Sequence, residues 1–466
     1  MKIGETIIKE LIKEKDVISA TVVGSYSENI SIDKIGDLDI VVICKKLSKK
    51  TYFNILRRIK KKKFKYNIMI NPTFGPMKIS SSKSLPVHLM IYDINSHIDH
   101  VLKSPFTCYD WERSKIFRGK PLKKIFSVKQ LQLNDFTDSR RTSKEYLKDI
   151  KKGKISIREY SFKNNKIFLK KKYVNIDQRN RGEFVYHIIN FLILNLYKFI
   201  TKKNVKVVDK KFENLFLKIT NNNKKILKQF QILKNNKINK KLIYDTNVIN
   251  LALNFLKSFN LYIEKIKNDY LELNFIRHAR TPLNKKNKFL GIRSNPKIIK
   301  KTIKKKNNIK YNYIITSNSL RSKMTKNFFR SSNYLTNNLV NEIDYGKVDG
   351  LTIKETKNKY PYLFKKWQQK IDVKFPEGEN TNDVRKRAIK FLKFLDRYKN
   401  GSKILIISHS FFLRVLISII LKINLYDAFK IKINHLKIFQ FIKKGRYIYS
   451  NLNRSEQYNI INQLHD

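Results

Sequence analysis

Apolar and polar positions along the first quarter of the chain separate strands from helices. Val17–Val23 is almost wholly apolar, Gly24-Ser25-Tyr26 turns the chain, and residues 37–43 alternate, so this stretch reads as strand, loop, strand. A lysine-rich segment with helical spacing follows at 48–63, and 66–70 and 86–92 are strand-like again. Residues 1–16 mix apolar and charged positions like an amphipathic helix and lack the plan of a secretory signal. From about 130 to 265 the pattern turns mostly helical, with helices expected over 182–200, 212–233 and 246–266 and polar breaks at 221–225 and 234–241. The longest apolar stretch, 184–200, carries His187, Asn190, Asn195 and Lys198, which suits a buried bundle helix better than a membrane span. Strand patterning returns at 271–276 and 404–407, and no internal repeat is visible. The expected division is a mixed α/β unit at 1–125, a helical unit at 126–267 and a further α/β unit at 268–466.

Bulk composition changes this picture little. A chain of 466 residues with 41% apolar content is long enough for about three cores. The formal charge of +63 would attract polyanions at low salt. Its excess is lysine, spread everywhere beside abundant Ile and Asn, as an AT-rich coding sequence would produce. Nucleic acid is therefore the weaker choice of partner. Two cysteines, Cys44 and Cys108, without ligand spacing argue against a disulfide framework and fit a reducing cytoplasm.

Candidate chemistry begins where the apolar run 271–276 ends in Arg277-His278-Ala279-Arg280-Thr281. A histidine just past a strand can attack phosphorus, and an adjacent guanidinium can hold the phosphate oxygens in a planar fork. With Pro282-Leu283-Asn284 this stretch resembles the opening motif of the histidine phosphatase (phosphoglycerate mutase-like) superfamily, Arg-His-Gly/Ala-x-Thr/Ser-x-x-Asn. Four more segments resemble that family in order. They are 289–296, with Ser294 where an Asp is usual; 317–325, containing Arg321; 342–350, opened by Glu342 and followed by Pro376-Glu377-Gly378-Glu379; and 404–414, containing His409, with Ser410 where Gly is common. The resemblance implies a three-layer α/β fold in which His278 is the nucleophile and Arg277, Arg321 and His409 surround the phosphoryl oxygens. Glu342 would then be the proton donor and later the base, and Thr281 and Asn284 would add neutral hydrogen bonds to phosphate. It implies no cofactor, the arginines and a protonated histidine supplying positive charge. The short segment between Arg321 and Glu342 lacks room for the insertion of glycolytic mutases, which points to hydrolysis rather than mutase chemistry.

Nearer the N-terminus, Gly24-Ser25 followed by Gly36-Asp37-Leu38-Asp39 resembles the signature of the nucleotidyltransferase superfamily. Carboxylates two apart in a strand face the same side, so Asp37 and Asp39 could both reach Mg2+, while Gly24 and Ser25 would meet the phosphates of a nucleoside triphosphate. Where the family has a third carboxylate, the run 85–93 holds His88, with Asp93 at its end on the opposite face, so either His88 replaces that ligand, or Asp93 supplies it after a local twist, or the site binds nucleotide without transferring it. The leading expectation is a bifunctional cytoplasmic enzyme with no membrane association, a phosphatase of phosphorylated small molecules fused to a domain that transfers a nucleotide to a small metabolite. The alternatives are a single-activity phosphatase with a degenerate nucleotide-binding scaffold, and a nucleotidyltransferase acting on RNA.

Overall fold

The computed structural model describes residues 3–28, 37–75, 84–163, 166–238, 247–299 and 309–465. They form two compact units, Met1–Ile263 and Glu264–Asp466. In the first, a five-stranded sheet has the order β3-β4-β2-β1-β5, built from β1 (Val17–Val23), β2 (Leu38–Cys44), β3 (Ile68–Asn71), β4 (Leu85–Asp93) and β5 (Phe117–Gly119). Side chains alternate across the sheet. Leu38, Ile40, Val42, Val87, Leu89 and Ile91 face a core closed by Ile7, Ile8 and Leu11 of the helix Ile3–Leu11 and by Ile55 and Ile59 of the helix Lys49–Lys61. The same parity puts Asp39 and His88 on the other face, directly opposite each other, because β2 and β4 run parallel with Asp39 paired to His88.

The expected boundary near residue 125 lies inside this unit, where Phe106 packs on Phe136 and Phe191 and Lys198 is paired with Asp110. Two expectations for the middle segment change. Two strands, β6 (Lys154–Lys163) and β7 (Lys166–Asn175), pair antiparallel there, with Ile155 and Ile157 of β6 alternating with polar residues and buried. The single helix expected over 212–233 is two, Asp209–Ile219 and Lys224–Ile238. Asn221 and Asn222 between them take left-handed φ of 52° and 61°, which a helix interior cannot hold. Among the described residues one helix, Asn180–Thr201, is long and apolar enough to cross a membrane. Half of it is buried within the unit.

The second unit is built on a six-stranded sheet of order β10-β9-β11-β8-β12-β13, from β8 (Leu271–Arg277), β9 (Lys310–Thr316), β10 (Arg330–Thr336), β11 (Lys403–Ser408), β12 (Ile438–Lys444) and β13 (Tyr447–Ser450). The first four in that order are parallel, and β12 is antiparallel to β8. Both faces are covered. Ile404 and Ile406 join the core under the helices Thr381–Phe394 and Ser410–Leu421, while Leu405 and Ile407 join a second cluster with Tyr311, Ile314 and Phe329. A parallel sheet buried on both sides explains the unbroken apolar run Ile404 to Ile407 of β11.

Candidate active site

Neighbouring parallel strands end level with one another, and that places the chemistry. Ser408 of β11 pairs with Arg277 of β8, and Ile407 pairs with Thr316 of β9, so three loops leave the carboxyl edge of the sheet side by side. His278 and His409 are the first residues beyond β8 and β11, and their ring centroids are 5.1 Å apart. Arg321, in the first turn of the helix that follows β9, donates from Nε to His409 Nδ1 at 3.2 Å. All three side chains are buried.

The hydrogen bonds assign the protons. His278 Nδ1 lies 2.7 Å from the Ala279 carbonyl, which can only accept, so Nδ1 carries the hydrogen and Nε2 keeps its lone pair. Burial first, then the Arg321 and Arg277 charges, hold its pKa well below 6.5, and the ring is neutral. His409 is the reverse tautomer. Its Nδ1 accepts from a guanidinium that can only donate, so Nε2–H donates to Ser317 Oγ at 2.7 Å. Burial and the charge of Arg321 push this pKa well below 6.5 as well. Burial first, and then the arginine charges, therefore favour the neutral form of both rings in the free site, where the expectation had a protonated histidine.

The arginines differ in what they hold. Arg321 also donates to the carbonyls of Ser294 at 2.7 Å, Gly291 at 2.9 Å and Leu290 at 3.4 Å, which leaves one N–H of its five without an acceptor among the described residues. Arg277 donates from Nη1 to the Ile433 carbonyl at 3.1 Å, but its buried Nε has no partner among the described residues. A buried donor left unmade costs about 1–3 kcal/mol, so this N–H marks a place for an acceptor.

Glu342 is buried at the N-terminus of the helix Ser410–Leu421. Oε1 accepts from the N–H of Phe412 at 3.1 Å and of Ile343 at 3.2 Å, and Oε2 from that of Phe411 at 3.2 Å. Burial raises its pKa above 4.5 against the pull of those N–H groups and of Arg321. It lies within electrostatic reach of both arginines. Thr281 and Asn284 are bonded to each other: Thr281 Oγ1 donates to Asn284 Oδ1 at 2.9 Å and accepts from the Asn284 N–H at 3.3 Å, a capping box on the helix Pro282–Lys285. This occupies the Thr281 hydroxyl and leaves the Asn284 NH2 group for another acceptor.

Gly346 lets the segment that follows Glu342 lie against the Pro376–Glu379 turn. Gly346 has φ of +56°, and a Cβ there would overlap the Pro376 carbonyl. Glu379 clamps the same segment, accepting from the Asp344 N–H at 3.0 Å and from Arg387 at 2.8 and 2.9 Å. Gly346→Ala should therefore destabilise this unit by more than about 2 kcal/mol, read as a lower midpoint in urea unfolding.

One residue of the site escaped the sequence reading. His435 stacks edge-on against His278 at 5.3 Å between centroids, and its Nδ1–H donates to the His278 carbonyl at 2.6 Å. Burial and Arg277 bring its pKa down to about 4. It belongs to no motif, and only its bridge to the end of β8, Arg277 to His435, brings it in.

The N-terminal candidates also converge. Ligand atoms of Asp37, Asp39 and His88 all lie within 4.8 Å of one another, with Asp39 Oδ1 2.9 Å from His88 Nδ1. His88 Nε2 is 2.8 Å from the Thr73 carbonyl. Burial lowers the His88 pKa, but Asp39, Asp37 and that carbonyl together raise it above 6.5. Gly24 has φ of +70°, and a Cβ there would sit 2.6 Å from Asp39 Oδ2, whereas Ser25 is exposed. Asp93 is elsewhere, capping the helix Ile94–Lys103 through Ser96. Gly36 lies outside the described residues.

Residues 273–448 match the model of the histidine phosphatase superfamily (branch 1). Among solved structures the chain is similar to Bacillus stearothermophilus YhfR, at 18% identity over 40% of this chain and 96% of that one, with a TM-score of 0.35. It is also similar to the alpha-ribazole phosphatase from Shigella flexneri, at 16% identity over 40% and 96%, TM-score 0.36. A third is a phosphoserine phosphatase mutant from Entamoeba histolytica in complex with phosphoserine, at 19% identity over 40% and 98%, TM-score 0.34. No curated protein matches the chain.

Proposed function

We propose that the C-terminal unit hydrolyses phosphomonoesters of small molecules through a phosphohistidine. The observation that carries this reading is the pairing of a neutral His278, its Nε2 lone pair free of the bond to Ala279, with the unmatched buried N–H of the adjacent Arg277. Nε2 attacks phosphorus in line, the P–N bond forms, and the ester P–O bond breaks as Glu342 protonates the leaving oxygen. Arg277 and the remaining Arg321 N–H take the charge on the equatorial oxygens. Glu342, now ionised, draws a proton from water, whose oxygen displaces His278 and releases phosphate. Asn284 adds a neutral donor. The match of residues 273–448 to the phosphatase superfamily supports the same reaction. Rapid quench with labelled aryl phosphate tests it: label should appear on the His278 peptide in acid-labile form. A burst of product with the label on no histidine would reject the intermediate.

The pH profile follows from the two shifts. His278 must be unprotonated, and its pKa lies well below 6.5, so the rising limb of kcat/KM falls far on the acid side. Glu342 must start protonated, and its raised pKa moves the falling limb above 4.5. The expected result is an optimum on the acid side of neutrality. Glu342→Gln should abolish the falling limb and slow phenyl phosphate more than p-nitrophenyl phosphate, whose better leaving group needs less protonation.

For the N-terminal unit we read a nucleotidyltransferase-like fold that holds a nucleotide without transferring it. His88 in contact with Asp39, where a third carboxylate would complete a magnesium set, favours this over an active transferase. Nucleotide binding measured with and without magnesium tests it, and no binding under either condition would discard the reading.

A further inference from the structure

We propose that Asp37, Asp39 and His88 bind a divalent transition metal of the Zn2+, Mn2+ or Co2+ kind. Three observations in the first unit point to this. The β2–β4 register sets Asp39 and His88 side by side on one face of the sheet, and parity adds Asp37 to that face. Their ligand atoms already fall within 4.8 Å of each other, and ligands held at roughly 2.0–2.2 Å from one ion can stand up to about 4 Å apart, so closure takes only a small side-chain shift. Most telling is the orientation of the imidazole. Its Nε2 faces the Thr73 carbonyl, which fixes a hydrogen on that nitrogen, and Nδ1 faces Asp39 Oδ1, 2.9 Å away, across a shared proton. A divalent cation can take that proton's place, and a ligating histidine characteristically donates its second N–H to a carbonyl in this way.

The donor set decides the kind of cation. Magnesium prefers six oxygens in a near-ideal octahedron, whereas imidazole with carboxylate suits zinc, manganese or cobalt. The residues present therefore do not fit the magnesium set that the nucleotidyltransferase resemblance implies. Gly24 keeps the approach to Asp39 Oδ2 narrow but unblocked, since any side chain there would begin 2.6 Å from that oxygen. This inference deepens the reading of the N-terminal unit as nucleotidyltransferase-like, although its geometry requires no nucleotide.

The test uses the full chain, stripped with chelator and dialysed against Zn2+ or Mg2+, with Co2+ absorption as a second readout. Wild type should take up zinc at this site at least about 100-fold more tightly than magnesium, and cobalt should give ligand-field bands. His88→Asn and Asp37→Asn, each checked for native circular dichroism, should weaken zinc binding by roughly 10- to 100-fold and alter those bands. His88→Asp should shift preference toward magnesium. Zinc uptake and cobalt spectra unchanged in both folded asparagine variants would overturn the proposal, as would no zinc uptake by wild type. A parallel ATP-binding arm separates the two readings. Metal binding with no nucleotide binding would discard the nucleotidyltransferase-like reading and leave this site standing.

Discussion

His278→Ala should lower kcat for p-nitrophenyl phosphate by about 10⁴-fold or more, as removal of a covalent nucleophile does elsewhere. The other groups around the pocket cannot replace it. His409 has its lone pair engaged by Arg321 and its N–H by Ser317, and His435 is bonded to the His278 carbonyl. The variant should nevertheless fold. The lost ring is neutral and packs edge-on or tilted against two other imidazoles, so its removal opens a polar space that water can fill. A thermal midpoint within a few degrees of wild type, together with lost turnover, is the expected pair of results. Turnover above about a tenth of wild type would remove His278 as the nucleophile.

Arg321→Ala should fail in two ways at once. The side chain is wholly buried and satisfies three carbonyls and one imidazole, so its loss strands four acceptors and should destabilise the C-terminal unit by about 3–5 kcal/mol. For a unit of this size that is a fall of roughly 10 °C in Tm, measured by calorimetry. Activity should fall by about 10²–10³-fold for the missing phosphate donor, and further as His409 and the 289–296 loop lose their anchor. Arg277→Ala provides the contrast. That arginine holds one carbonyl and carries an unmatched buried N–H, so its removal should lose comparable activity at little loss of stability. If both variants lose stability equally, the division of labour between the two arginines is wrong.

How much of this was legible beforehand depended on what each residue answers to. Arg277, His278, Arg321, Glu342 and His409 could be found in order because the segments that hold them resemble motifs of the histidine phosphatase superfamily; apolar runs alone marked only the places of His278 and His409. Their engagements could not be found so. That Arg321 holds the carbonyls of residues 290, 291 and 294 depends on where distant backbone arrives, and the Thr281–Asn284 capping box, although local, engages the Thr281 hydroxyl that the resemblance assigned to phosphate. His435 has no offset at all, being 157 residues from the carbonyl it holds. The β6–β7 pair was missed because β7 runs in blocks, Ile167-Phe168-Leu169 and then Lys170-Lys171-Lys172, and so shows no period of two.

By itself, then, the amino-acid order carried two apolar strands each followed by a histidine, and motifs whose resemblance to the phosphatase superfamily implied the arginines and Glu342 around them. It also set Asp37 and Asp39 two apart, whereas the register of β2 on β4 was needed to bring His88 beside Asp39. Only the packed structure decided which ring carries which proton: the backbone bend after His278 turns the Ala279 carbonyl onto its Nδ1, and folding brings Arg321 to Nδ1 of His409. It decided, too, that one guanidinium became a bracket while the other kept an open N–H, because folding fixes which backbone carbonyls lie within reach.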